Sequence, residues 1–111
     1  MLNIDMEPVK GILFVRLSGK LDKNNIEKLN KEVLTFLKDI GIKNIVFNLS
    51  NLNHIDKYGK EAIVHSFIMC MKNKGESFVC VGNNKKIISM FKNLPDKMVS
   101  DELSAERIIN Y

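Results

Sequence analysis

The 111-residue sequence predicts an α/β domain, a mixed and mostly parallel β-sheet with helices packed on it. Three observations carry that expectation. The spacing of apolar residues switches repeatedly between the alternation that suits a strand and the period of about 3.6 that suits a helix. Short apolar runs, clearest in Ile45-Val46-Phe47-Asn48-Leu49, alternate with longer amphipathic ones, and such runs suit strands covered on both faces. Glycines and short oxygen-bearing residues stand at the changes of period. The implied order is ββαβαβαβα in a single domain over residues 1–111, with no linker, repeat or low-complexity segment. Strands that alternate with helices form a largely parallel sheet.

The elements follow in order. Residues 4–18 read as two strands joined by a tight turn at Lys10-Gly11, and Gly19 marks the end of the second. Asp22 is the expected N-cap of a helix starting near Lys23. Ile26, Leu29, Val33, Leu37 and Ile40 give that helix one apolar face, and Gly41 supplies the left-handed residue that closes it. A central strand over residues 45–49 leads into a loop over residues 50–55. Asp56 is a second N-cap, opening a helix over residues 57–74 that Gly75 ends. Its apolar positions include Ile63, Val64, Phe67, Ile68 and Met71. Residues 77–81 form a further strand, and Gly82-Asn83-Asn84 turns the chain into a short helix with Ile87, Ile88 and Phe91. Met98-Val99 is a short last strand, and Asp101 caps a final helix with Leu103, Ile108 and Ile109.

Composition narrows the class of function. Hydrophobic residues make up 45% and charged residues 27%, which fits a folded chain rather than a disordered one. No apolar run approaches the roughly 18 residues that span a bilayer, so no membrane insertion is expected. The first residues lack the basic and apolar regions of a signal peptide, which points to the cytoplasm. A formal net charge of +4 raises the question of nucleic acid. The lysines are scattered and only Arg16 and Arg107 are arginines, so there is no arginine-rich stripe and no nucleic-acid partner is expected. Cys70 and Cys80 lie in apolar stretches without a C-x-x-C spacing and read as reduced, buried small hydrophobes.

The junction from Asn48 to Gly59 is the most informative stretch. Sites in open α/β sheets gather at the carboxyl ends of strands, and a helix start there presents free N–H groups. Gly59 in the first turn is a poor helix former, and its bare Cα allows another group to approach closely. Read by themselves, Asp56 is a cap and Gly59 a turn residue.

Leu17-Ser18-Gly19-Lys20-Leu21-Asp22, Asn44-Ile45-Val46-Phe47-Asn48-Leu49 and Ile55-Asp56-Lys57-Tyr58-Gly59, in that order and on matching elements, resemble the STAS family. More narrowly they resemble the anti-sigma-factor antagonists. The resemblance implies a protein-binding module that docks on an anti-sigma factor, often a serine kinase, and so frees a sigma factor. It also implies that the residue after the loop aspartate is a serine or threonine switched by phosphorylation. Here that residue is Lys57, followed by Tyr58, and lysine accepts no such phosphate. The scaffold matches while the switch does not.

The expected partner-binding surface comprises Asp22, His54, Asp56, Lys57, Tyr58, Gly59 and Lys60, with the exposed side of the second long helix. The expected partner is an anti-sigma factor or a related regulatory protein. The alternative is a STAS subunit of a transporter ATPase or of a larger signalling complex, and a small enzyme is a third reading. No catalytic residues, metal or cofactor are expected. His54 and His65 are too few and too isolated for a metal site, and His65 falls on the polar face of its helix. Ser50 and Ser66 lack a nucleophile-elbow pattern, and Gly82-Asn83-Asn84-Lys85 lacks the spacing of a phosphate-binding loop.

Overall fold

A computed structural model describes residues 1–110. Lys10 and Gly11 both take positive φ, 51° and 79°, and close the two-residue turn between β1 (Leu2–Val9) and β2 (Ile12–Leu21). The antiparallel register runs from Val9↔Ile12 to Leu2↔Gly19. β3 (Asn44–Ile55), β4 (Ser77–Cys80) and β5 (Met98–Val99) then add in parallel, each beside the strand before it, so the sheet order is β1-β2-β3-β4-β5.

The helices divide between two faces. α1 (Ile26–Leu34), α2 (Lys57–Lys72) and α3 (Lys85–Met90) lay Leu29, Val33, Ile63, Phe67, Cys70 and Ile87 on one face of the sheet, against Leu13, Val15, Leu17, Ile45, Phe47 and Leu49. α4 (Glu102–Ile109) covers the other face, where Ala105 and Ile109 meet Ile12, Phe14, Val46, Phe78 and Cys80. Alternation along β2 and β3 thus feeds two cores at once, which is why both strands are apolar almost throughout.

Several boundaries differ from expectation. β2 does not end at Gly19 but continues to Leu21 through register shifts on either side of Ser18 and Gly19. Gly19, at φ 92°, takes up that bulge. Residues 50–55 are not a loop: they extend β3 alongside the lengthened β2, with Ser18↔Asn51, Gly19↔Leu52 and Leu21↔Ile55 as partners. Leu52 and Ile55 are buried there while Asn51, Asn53 and His54 face out. The outward polar residues gave the stretch a loop-like composition.

α1 starts at Ile26 rather than near Lys23, and Asp22 is not its N-cap. The Asp22 carbonyl accepts from Asn25 and Ile26 N–H, and its carboxylate accepts from Asn24 N–H at 2.9 Å. The aspartate therefore holds a separate turn ahead of the helix. Residues Thr35–Ile40 continue α1 as a π-helix, which rotates Ile40 out to 60% exposure before Gly41 closes the element at φ 80°. α2 ends two residues early, at Lys72, and Lys74 adopts the left-handed conformation at φ 61° ahead of Gly75. Ile68 and Met71 lie on its exposed side, outside the core. Cys70 and Cys80 are both buried and unpaired.

Candidate functional site

The junction between β3 and α2 is organised by one carboxylate. Asp56 takes an extended backbone and caps α2, its Oδ1 accepting from Gly59 N–H at 2.8 Å. Its Oδ2 accepts from Lys23 N–H at 3.1 Å, and its own N–H donates to the Leu21 carbonyl. One residue thereby fastens the first turn of α2 to the end of β2 through its backbone, and to the turn that follows it through its side chain. Gly59 is buried, and a Cβ there would sit 2.8 Å from the Leu21 carbonyl oxygen and 3.0 Å from Ile55 Cγ1. The close approach that the bare Cα permits is made by this chain's own Leu21.

Asp56 and Gly59 thus set the backbone, and the residues between them are presented outward. Lys57 and Tyr58 are exposed, with the Lys57 ammonium 5.2 Å from the Tyr58 ring centroid. Lys60 is half-buried. It donates to Asn93 Oδ1 at 3.1 Å and lies 6.0 Å from the Phe91 ring centroid, joining α2 to the segment after α3. His54 is exposed beside Lys20, its register partner. Asp22 lies half-buried in its turn, linked to the junction through Lys23. The structure therefore brings Asp22, His54, Asp56, Lys57, Tyr58, Gly59 and Lys60 to one end of the sheet.

Beside this end runs an open groove of about 540 Å³ between α2 and the segment after α3. Val64, Ile68 and Leu94 give it an apolar lining, and Lys57, Lys60 and Glu61 stand at its margin. His65 also borders it and is exposed.

Sequence reasoning passed over two arrangements. Asn84 caps α3 through its Oδ1 while its Nδ2 lies within bonding distance of the Ser50 and Leu52 carbonyls, at 3.1 and 2.8 Å, and so pins α3 to the far end of β3. The second arrangement lies on the face beneath α4. The Arg16 guanidinium donates twice to the Glu102 carboxylate, at 2.8 Å each, and also meets Asp5 at 3.1 Å and Glu7 at 2.9 Å. Asn48 adds a further bond to Glu102 at 2.9 Å. Glu102 raises the Arg16 pKa still further, and Arg16 in turn holds the Glu102 carboxyl below the usual carboxylate range. A signal for part of this cluster was present. Counting back from the Lys10-Gly11 turn places Asp5 opposite Arg16.

The other groups whose titration the fold shifts also lie away from the junction. Burial pushes the Cys70 thiol up to about 11 and the Cys80 thiol up to about 12. Hydrogen bonding from Ser104 N–H lowers Asp101, the cap of α4. Among the described residues, no three histidine, cysteine or carboxylate side chains come together as a metal site would need, and no helix is long and apolar enough to cross a membrane.

The STAS domain model matches residues 3–95 of the sequence. The chain belongs to the STAS domain family. An anti-sigma F factor antagonist of Paenibacillus polymyxa is 32% identical over 79 residues, covering 71% of this STAS chain and 68% of the relative. Among solved structures, a putative anti-sigma factor antagonist of Thermotoga maritima superposes with a TM-score of 0.84 at 19% identity, covering 97% of this chain and 95% of the other. An anti-sigma factor antagonist from Mycobacterium paratuberculosis gives 0.81 at 16% identity, over 100% and 96%. The antagonist SpoIIAA in its unphosphorylated form gives 0.77 at 20% identity, over 96% and 94%. The resemblance seen in the sequence, to a STAS domain of the antagonist type, agrees with both the family match and the fold.

Proposed function

We propose that this STAS domain is a cytoplasmic anti-sigma-factor antagonist that works by binding and not by catalysis. It docks on an anti-sigma factor, of the serine-kinase type or a relative of it, and so frees a sigma factor. The docking surface is the strand end around Asp22, His54, Asp56, Lys57, Tyr58 and Lys60, with Gly59 beneath it and the exposed side of α2 beside it. The observation that carries the reading is the division of labour at the junction. Asp56 and Gly59 spend their chemistry on the backbone, which leaves Lys57 and Tyr58 turned to solvent on a fixed turn. The fold adds support against an enzyme. Each strand lies beside its predecessor, so the sheet has no reversal of strand order and none of the crevice such a reversal opens for a small substrate.

Lys57 stands where a phosphorylatable serine is expected, so the surface keeps one electrostatic state. A phosphate would bring about −1.5 to −2 of charge where lysine brings +1. That same lysine favours a second reading, in which the domain is a constitutive docking subunit of a transporter ATPase or a larger signalling complex.

The test is calorimetric titration of the purified protein with each anti-sigma factor encoded by its own genome, before and after incubation with ATP. Binding that ATP leaves unchanged, and that Lys57→Glu weakens about tenfold without altering the fold, is the expected result. Absence of binding to any anti-sigma factor sends the search to the second reading. Stoichiometric phosphate on Tyr58 or Ser50 would show that a phosphorylation switch has moved along the chain and not vanished.

A further inference from the structure

The lysines, scattered in sequence, are gathered by the fold. Lys20 and His54 are register partners at the far ends of β2 and β3. His54 shares an open depression of about 460 Å³ with Lys85 and Lys86 of α3, and no carboxylate lines it. The Lys86 ammonium donates to the Asn53 carbonyl at 3.1 Å, which holds α3 against this end of β3. Lys57 and Lys60 line the neighbouring groove, and Lys23 is bonded through its N–H to Asp56. Six lysines thus ring one end of the sheet.

Opposing them are Asp22, Asp56 and Glu61. Asp22 and Asp56 turn their oxygens to backbone N–H groups and keep their charge, so the six lysines exceed the three carboxylates by number and not by neutralisation. Arg16, by contrast, is engaged by three carboxylates on the face under α4 and adds nothing here. The result is a cationic corner of which Lys57 and Lys60 line the apolar groove of Val64, Ile68 and Leu94, beside Glu61.

We infer that the partner's docking element is an acidic amphipathic segment, its apolar side seated in the α2 groove and its carboxylates over the lysine corner. This inference rests on the binding-module reading and supplies the chemistry of its partner. Like charges juxtaposed across an interface are costly, so such a corner rejects basic partners as well as selecting acidic ones. Nucleic acid is disfavoured by what surrounds the charge. No arginine fork and no series of stacking aromatics lies among these lysines, whereas an apolar groove does.

The experiment is an amide chemical-shift titration by NMR with three probes. The first is a helical peptide of about 20 residues with leucines on one face and glutamates on the other. The second is the same peptide with lysines for glutamates, and the third is single-stranded DNA of similar length. The acidic peptide should move the amides of Lys20, His54, Lys57, Lys85 and Ile68. Its affinity should fall about tenfold or more between roughly 50 and 500 mM salt. The double variant Lys57→Glu/Lys85→Glu should lose a similar factor while keeping the wild-type circular dichroism, and Lys57→Gln/Lys85→Gln should lose less. Equal binding of the basic peptide, shifts confined to another face, or tighter binding of DNA to this corner would each overturn the inference. If an anti-sigma factor binds with an affinity indifferent to salt and to the double reversal, the charge inference and the docking surface around Lys57 both fail, while the regulatory reading stands. If the acidic peptide binds here and no anti-sigma factor does, the regulatory reading alone fails.

Discussion

Gly59 is the residue at which the junction leaves least room. In a helix, alanine for glycine gains up to about 1 kcal/mol of propensity. Here the added methyl would meet the Leu21 carbonyl oxygen at 2.8 Å and the Leu21 side chain at 2.9 Å, and the first of these is backbone fixed in β2. Overpacking of that kind typically costs about 1–3 kcal/mol, so it outweighs the propensity gain. Gly59→Ala should therefore lower the melting temperature by several degrees, read by circular dichroism, and an unchanged or raised Tm would show that β2 yields. Gly59 stood out in the sequence as a poor helix former in a first turn, but the neighbour it makes room for could not be read there. Leu21 lies far away in sequence and reaches Gly59 only because β2 runs past Gly19. Asp56 was legible as a cap because that bond is local. Its second bond, to Lys23 N–H, was not, since it joins the cap of α2 to a turn 33 residues away in sequence.

At the scale of elements, α4 leans on polar contacts as much as on burial. Its eight residues bury little besides Ala105 and part of Ile109, while Leu103 and Ile108 remain more than half exposed. The bidentate Arg16–Glu102 pair compensates. A partly exposed pair of good geometry is worth about 1 kcal/mol. Because the folded state depresses the Glu102 pKa, its contribution is complete above the ordinary glutamate range near 4.3 and disappears as pH falls through the lower folded value. Glu102→Gln should thus cost about 1 kcal/mol at neutral pH and flatten the loss of Tm between roughly pH 5 and 3. A variant as acid-sensitive as the wild type would remove this pair from the account. Cys80 lies beneath α4, whereas Cys70 is in the main core. Local opening of a weakly held element precedes global unfolding, so a thiol reagent should label Cys80 ahead of Cys70, and Glu102→Gln should accelerate only Cys80. Peptide mapping of quenched samples reads both rates. The sequence disclosed the existence and type of each of these elements through periodicity and caps. The extension of β3 through residues 50–55 was hidden because its outward positions are Asn51, Asn53 and His54, which favour loops when unpaired.

For the whole molecule, the two cores share β2, β3 and β4, whose side chains alternate between the faces. Apart from α4, neither face can come apart without the strands that build the other. Denaturant unfolding followed by helix content and by Cys70 accessibility should therefore give one midpoint, and two separated transitions would show that the faces are independent. The strand order has a further consequence, for how the chain comes into being. Every strand lies against the one synthesised just before it, and none must be inserted between two already paired. The loops to be closed stay short for a parallel sheet, which keeps their entropic cost low. A nascent chain can lay down its hairpin first and then add one helix-and-strand unit at a time, each onto the edge left by the last. Until β4 has docked, that growing edge is β3, whose first half is strongly apolar, so the edge stays unpaired for about as long as it takes to translate α2 and the strand that follows it.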